Sequence, residues 1–159
     1  MSAIATFIKL PKSALESLRK AALPQKRLFG APRDVYHDFL RQQGTEVATY
    51  DPSGFLLATL LVYLKKQQIN LMKSEYDELA TFLTKEREST NFLLTSAHKR
   101  DFLDKLGGPF SVQELCSYYN QFNGTSEDDV GEPLLDGIRA FQQSLSQVDD
   151  NSVILFTIG

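Results

Sequence analysis

The chain has 159 residues, of which 42% are apolar and 23% are charged, and its formal net charge is -3. These values are ordinary for a globular protein and exclude a chain that is disordered throughout. A single cysteine, Cys116, excludes an intramolecular disulfide, and two histidines leave little for a metal site. The length is that of one domain, so we expect residues 1–159 to form a single globular unit.

Charge is distributed unevenly along the chain. Residues 1–50 carry eight Lys and Arg against four Asp and Glu, whereas residues 51–159 carry nine against sixteen. An uneven electrostatic field can orient a charged partner at a distance.

The N-terminal residues lack the basic region and apolar run of a secretory signal, and no stretch reaches the roughly 20 apolar residues of a membrane span. We therefore expect a cytoplasmic protein that has no membrane partner.

The first third of the chain alternates strand and helix patterns. Side chains that alternate in polarity predict the first strand, which Pro11 ends, and leucines at three-to-four spacing predict the helix after it. The prolines and the glycine in LPQKRLFGAPRD predict a loop, after which Asp34 caps a short helix that stops near Gly44. The predicted elements are a strand at 3–10, a helix at 12–23, a loop at 23–34, a helix at 34–44 and a strand at 46–50.

The most apolar stretch runs from Tyr50 to Leu71. Its segment from Gly54 to Leu64 is eleven residues without a charge, nine of them apolar. Asp51-Pro52-Ser53 is a typical helix start. We predict a buried helix there because its apolar side chains cover more than one face, unlike those of a surface helix. These side chains are Phe55, Leu56, Leu57, Leu60, Leu61 and Leu64.

The sequence pattern of the second half of the chain predicts mainly helices. The predicted elements are a helix at 74–88, a strand at 91–95, a helix at 96–106 capped by Ser96, a helix at 111–122, a loop at 123–133, a helix at 134–148 and a strand at 152–158. Strands at both ends with helices between them predict an α+β fold. We expect a small mixed β-sheet, which includes the N- and C-terminal strands, packed against six or seven helices, with the strand order left open.

Common catalytic motifs are absent from the sequence. It contains no glycine-rich phosphate loop, no dinucleotide fingerprint, no nucleophile elbow and no histidine pair at metal spacing. These absences disfavour an enzyme of a common class, and we expect neither a metal nor another cofactor.

Two polar clusters are candidate sites. In the first, Asp34, His37 and Asp38 are predicted on one short helix, where a carboxylate could orient an imidazole for acid/base chemistry. In the second, His98 and Arg100 open a predicted helix, and a cation at a helix N-terminus can mark an anion site. A solvated helix face is the simpler interpretation of both clusters.

A basic segment near the N-terminus is the candidate partner-binding surface. Five cations occur within fifteen residues, with Phe29 among them: Arg19, Lys20, Lys26, Arg27 and Arg33. Basic residues interleaved with an aromatic can bind nucleic acid. The acidic total charge and the lack of a stacking platform favour an acidic protein partner over a nucleic acid.

The two ends of the chain resemble a known family. The opening MSAIATFIKL, followed by Ser13, Leu15 and Leu18, and the closing segments Ile138 to Phe141 and Val153 to Gly159 are similar to the YfbM-like family of uncharacterised bacterial proteins. The resemblance implies a bacterial, cytoplasmic, single-domain α+β protein. It brings no established activity and therefore no functional residues.

Two hypotheses follow from the sequence. The first is a non-enzymatic protein that binds another protein, with neutralisation of a toxin as one possible role, because catalytic motifs are missing and charge is asymmetric. The second is a small enzyme or ligand-binding domain that uses His37 or His98 in a cleft. The sequence predicts no oligomeric state.

Overall fold

The structure is a computed structural model that describes residues 2–159, and these residues form four β-strands and seven α-helices. The strands are β1 (Ala5–Pro11), β2 (Thr45–Ala48), β3 (Thr90–Leu94) and β4 (Ser152–Ile158). The helices are α1 (Leu15–Ala21), α2 (Tyr36–Gln43), α3 (Phe55–Lys66), α4 (Asp77–Arg87), α5 (Ser96–Leu106), α6 (Val112–Asn123) and α7 (Gly131–Gln147). The predicted α+β fold class is confirmed.

The four strands form one sheet with the order β2-β1-β4-β3. Strands β1 and β4 pair along their full length, with Ala5 opposite Ile158 and Pro11 opposite Ser152. The first and last strands are therefore neighbours at the centre of the sheet. Every neighbouring pair is antiparallel. The expectation of a mixed sheet was therefore wrong. Side-chain patterns show which face of a strand is buried, but they do not encode the direction of the strand beside it.

One face of the sheet packs against α3 and α7. Alternate residues of the central strands point to this side, and three fully buried rings meet there. Phe7 stacks on Phe156 with 4.8 Å between ring centroids, and Phe141 of α7 meets Phe156 edge-on at 5.1 Å. Such pairs add to the stabilisation from burial alone.

Helix α3 is buried as predicted, but not at its first residue. Leu57, Leu60 and Leu64 are almost fully buried, whereas the Phe55 side chain is 53% exposed, so its predicted core position is wrong. Phe55 lies on the solvent-facing side of α3, together with Ala58 and Lys65, which are also exposed. Farther along, a Cβ on Gly137 of α7 would lie 2.5 Å from a Leu57 methyl group, so glycine lets α7 approach α3 closely.

The other face of the sheet is only partly covered. Leu10, Val153 and Leu155 are buried there in a second cluster with side chains of α1, α2 and α4. Arg19 reinforces this layer, because its guanidinium lies 4.4 Å from the Phe82 ring centroid and 3.5 Å from the Glu78 carboxylate. At the opposite end of the same face, Ile4 and Thr6 are outside the buried core. This uncovered end leaves space above the sheet.

Helices α1, α4 and α7 begin three residues away from their predicted starts, and the N-cap residues of α2 and α5 are not the predicted ones. Helix α7 begins at Gly131 instead of near Leu134, because Pro133 is tolerated in a first turn, where backbone N–H groups lack helical acceptors. Helix α5 has Thr95 as its N-cap residue in place of Ser96.

Among residues 2–159, no helix combines the length and the apolar character that crossing a bilayer requires.

Candidate functional site

The basic segment forms a protruding loop between α1 and α2. Gln25 and Arg33 exchange two backbone hydrogen bonds of 2.9 and 3.0 Å, and these close the 25–33 loop at its base. At its tip, Leu28 is 97% exposed and Phe29 is 91% exposed. Gly30, with φ of +90°, turns the chain back in a conformation that other residues rarely adopt. Two large apolar side chains are thus presented to solvent on a loop with a fixed base.

The predicted cations divide into two groups. Arg19 is used in packing α1 against α4, and Lys20 lies 4.0 Å from Glu16 on its own helix. Within residues 2–159, the remaining three form no salt bridge: Lys26, Arg27 and Arg33. Their charge is therefore available beside the apolar tip.

Arg33, Lys20 and Asp38 also line one cleft of about 420 Å³ between α1, α2 and the loop. Asp38 pairs with Arg41 on the same helix. His37 does not line this cleft, and it lies close enough to Asp34 to contribute to lowering the pKa of that carboxyl. Of the three residues predicted as an acid/base cluster, Asp34 and His37 therefore stay neighbours, while Asp38 faces the cleft.

Arg87, at the end of α4, holds both ends of the 25–33 loop. One guanidinium nitrogen donates to the Ala22 carbonyl at 3.3 Å, and another donates to the Asp34 carboxylate at 2.7 Å. The guanidinium also lies 4.4 Å from the ring centroid of Tyr36. The hydrogen bond from Arg87, followed by that from the Tyr36 backbone N–H, holds the pKa of Asp34 below its usual range. Asp34 is therefore a structural anchor.

Sequence reasoning missed Arg87, which lies in a charged run that reads as solvent-exposed. Its acidic partner, Asp34, is distant in the chain, so no local spacing reveals the pair. Lys99 was missed for the same reason: its ammonium donates to the carbonyls of Ser146 and Val148 at 3.2 and 3.0 Å, at the end of α7. A cation there also complements the negative end of the α7 dipole.

Arg100 has a carboxylate neighbour on its own helix. It is exposed, and its guanidinium contacts Asp101, the next residue, at 3.2 Å. An exposed pair of this kind contributes little to stability.

An open groove lies over the uncovered end of the sheet. We call it the sheet groove. It has a volume of about 790 Å³, and its lining is mainly apolar. Its floor includes Thr6, Ile8 and Thr157 from the two central strands. One wall is α2 and the other is the corner between α4 and β3. Such a volume is typical of small-molecule sites.

His37 and Tyr36 belong to the α2 wall of the sheet groove. His37 therefore lies beside a groove, and its use in chemistry or ligand binding stays a prediction. Tyr36 is only 5% exposed, and its hydroxyl has no hydrogen-bond partner among residues 2–159. Burial raises the pKa of Tyr36 to about 12, so the hydroxyl keeps its proton and stays a donor at neutral pH.

His98 is buried and has a structural role. Its Nδ1 atom accepts a hydrogen bond of 2.9 Å from the Thr95 backbone N–H. Its Nε2 atom lies 2.8 Å from the Lys73 carbonyl, so the neutral tautomer with the proton on Nε2 satisfies both bonds. His98 borders a cleft of about 340 Å³, but neither ring nitrogen is left for a substrate. It is a helix cap and a link to the segment before α4.

Replacing His98 should change how stability depends on pH. Burial lowers the pKa of His98 below the value of about 6.5 expected in the unfolded chain, despite the opposing effects of the Lys73 carbonyl, Asp101 and Asp77. The unfolded chain therefore binds the proton first. The contribution of neutral His98 to the free energy of unfolding is complete above about pH 6.5, and it is lost as the pH falls toward the folded-state pKa.

Urea unfolding between pH 5 and 8 measures this effect. We expect the free energy of unfolding of the parent protein to fall below pH 6.5 more steeply than that of His98→Gln, which cannot titrate. His98→Ala should lose about 1–3 kcal/mol at pH 7, because Thr95 N–H and the Lys73 carbonyl lose their partner. Identical pH profiles for the parent and His98→Gln would contradict this assignment.

Comparisons with known proteins give no family for this chain: no family model, curated protein or solved structure matches it. The resemblance to the YfbM-like family stays a prediction. Among the described residues 2–159, no three His, Cys, Asp or Glu side chains are grouped to hold a metal ion.

Proposed function

We propose that this protein is a non-enzymatic interaction domain that binds an acidic protein through the 25–33 loop. The observation that carries the proposal is the exposure of Leu28 and Phe29, at 97% and 91%, on the tip of that loop. Isolated exposed apolar residues are ordinary, but two adjacent large side chains outside any core form a typical binding anchor. Neutralisation of a toxin is one form that this function would take.

The charge around the tip supports an acidic partner. Lys26 and Arg27 precede the apolar pair, and Arg33 follows it at the base. Cations around an apolar anchor accelerate encounter with a negatively charged surface and fix the orientation of the complex. The same cations disfavour a basic partner, because like charges facing each other are repulsive.

The anchoring of the loop supports a defined complex. The backbone bonds between Gln25 and Arg33, together with the contacts of Arg87 to Ala22 and Asp34, fix both ends before a partner arrives. A loop that is already ordered loses less conformational entropy on binding. We therefore propose that the tip docks with little rearrangement of its base.

The test begins with a photo-crosslinking amino acid at position 28, in the host cytoplasm, which is the proposed location. The matched control carries the same amino acid at position 122, because Phe122 is another large apolar residue at the surface, 51% exposed on α6. We expect an acidic protein to be crosslinked at position 28 and not at position 122. The proposal would be contradicted if position 28 gave no specific adduct, or if the adduct contained nucleic acid.

Binding of the identified protein is then measured by calorimetry with purified components. The double variant Leu28→Ser and Phe29→Ser should bind about 100-fold more weakly, which corresponds to about 3 kcal/mol lost from two anchors. Its melting temperature should stay unchanged because neither side chain packs in the core. Phe122→Ser is the control and should bind normally. Unchanged affinity of the double variant would place the interface elsewhere.

A further inference from the structure

The backbone at the tip of the 25–33 loop is open to a protease. Residues 26–32 take part in no backbone–backbone hydrogen bond within residues 2–159, and the loop is closed at its base by Gln25 and Arg33. A protease holds its substrate as an extended strand through backbone hydrogen bonds, in the manner of strand addition. The tip can offer its N–H and C=O groups without first losing bonds of the fold. Exposed loop tips of this kind are preferred sites of proteolytic nicking.

The side chains at the tip identify the bond and the class of protease. Leu28 is 97% exposed, and the cations Lys26 and Arg27 directly precede it. Trypsin-type serine proteases bind an arginine or a lysine in an S1 pocket that contains an aspartate, and they cleave the bond that follows it. Within residues 2–159, neither cation has a salt bridge to give up on entering such a pocket. The bond between Arg27 and Leu28 is therefore the expected point of cleavage.

A second exposed lysine outside the helices and strands shows what protects a bond of this kind. Lys73 is exposed in the segment before α4. Its carbonyl lies 2.8 Å from His98 Nε2, and the N–H of Ser74 donates to the Asp77 carboxylate at 2.8 Å. Both polar groups of the peptide bond between Lys73 and Ser74 are thus already in use. A protease would have to break these contacts first, so this bond should be cleaved more slowly.

Cleavage at the tip should leave the fold intact. The N-terminal piece, residues 1–27, would still contain β1, which pairs along its full length with β4 in the other piece. It would also contain α1, whose Leu18 is fully buried in the second core cluster. Separation of the pieces would expose this apolar surface and leave β2 and β4 without the strand between them. The pieces should therefore stay together after the bond is broken.

We propose that a trypsin-type protease hydrolyses the bond between Arg27 and Leu28 and thereby ends partner binding by the 25–33 loop without unfolding the protein. One water molecule is consumed: its oxygen completes a carboxylate on Arg27, and its two hydrogens convert the Leu28 nitrogen to an ammonium group. A new charge then lies at the apolar anchor, and two of the cations are no longer joined to it. The loss of binding rests on the proposed function, whereas the cleavage does not.

Limited digestion with trypsin tests the position of the cut. The full chain is digested at low protease concentration, and the products are identified by intact-mass spectrometry. We expect pieces 1–27 and 28–159 to appear about tenfold faster than any cut after Lys73, and to elute together on size-exclusion chromatography. The double variant Lys26→Gln and Arg27→Gln should resist cleavage at the tip, whereas Lys73→Gln is the matched control and should be cut there like the parent. A first cut elsewhere, or separation of the pieces, would overturn the proposal.

Two further measurements test the effect on binding. Cytoplasmic extract of the host should release piece 28–159 from the parent but not from the double glutamine variant, and benzamidine, which occupies an acidic S1 pocket, should block this release. The nicked protein should bind the crosslinked partner about tenfold more weakly than the intact chain. No cut at the tip by the extract, or undiminished binding by the nicked protein, would overturn the proposal. A failure of the proposed function is distinguishable, because it appears as undiminished binding by the Leu28→Ser and Phe29→Ser variant while the cut at the tip is still observed.

Discussion

Replacing Phe156 with alanine is expected to lower the free energy of unfolding by about 3–5 kcal/mol. The Phe156 ring is fully buried on β4 and contacts Phe7, Phe92 and Phe141, with centroid separations of 4.8, 5.9 and 5.1 Å. Alanine would leave a cavity between the sheet and α7, and the rigid ring neighbours would not close it fully. Urea unfolding followed by circular dichroism measures the loss.

Phe122→Ala is the control for this prediction, because Phe122 is an exposed aromatic on α6. Its cost should stay below about 1 kcal/mol. If Phe156→Ala were as stable as the control, the ring cluster would not be the centre of the core.

The second large effect is expected for Leu57→Ala or Leu60→Ala in α3, each costing about 2–5 kcal/mol. Both side chains are almost fully buried and lie where Gly137 brings α7 against α3. Unfolding in urea gives the loss for each variant. Phe55→Ala, in the same helix, should cost much less because the Phe55 side chain is half exposed. Near-native stability of both leucine variants would show that α3 is peripheral.

Local patterns predicted the elements well because they depend on neighbours in the chain. The uncharged run from Gly54 to Leu64 predicted a buried helix, and α3 occupies Phe55–Lys66. The alternating patterns at the two ends predicted strands, and the structure places them side by side. Periodicity was less informative at Phe55, because an uncharged apolar run does not show which side of the helix faces solvent, and Phe55 lies on that side with Ala58 and Lys65.

The sites depend on contacts between distant residues, and local patterns do not encode these. His98 lies between Ala97 and Lys99 and reads as surface, yet the Lys73 carbonyl from a separate segment satisfies its ring. The 25–33 loop was predicted as a loop from Pro24, Gly30 and Pro32. The sequence could not show that Leu28 and Phe29 lack a core to enter, because this depends on how far the loop projects.

The pairing of β1 with β4 has a consequence for how the chain reaches its fold. These two central strands come from opposite ends of the described chain, and each holds one of the outer strands in place. Contacts between residues so far apart in sequence are entropically costly to form and slow folding. On the ribosome, β1 and β2 could pair as a ribbon, but its other edge would stay open until Ser152–Ile158 emerged. Until then the free edge of β1 presents unpaired backbone N–H and C=O groups with which another chain can pair.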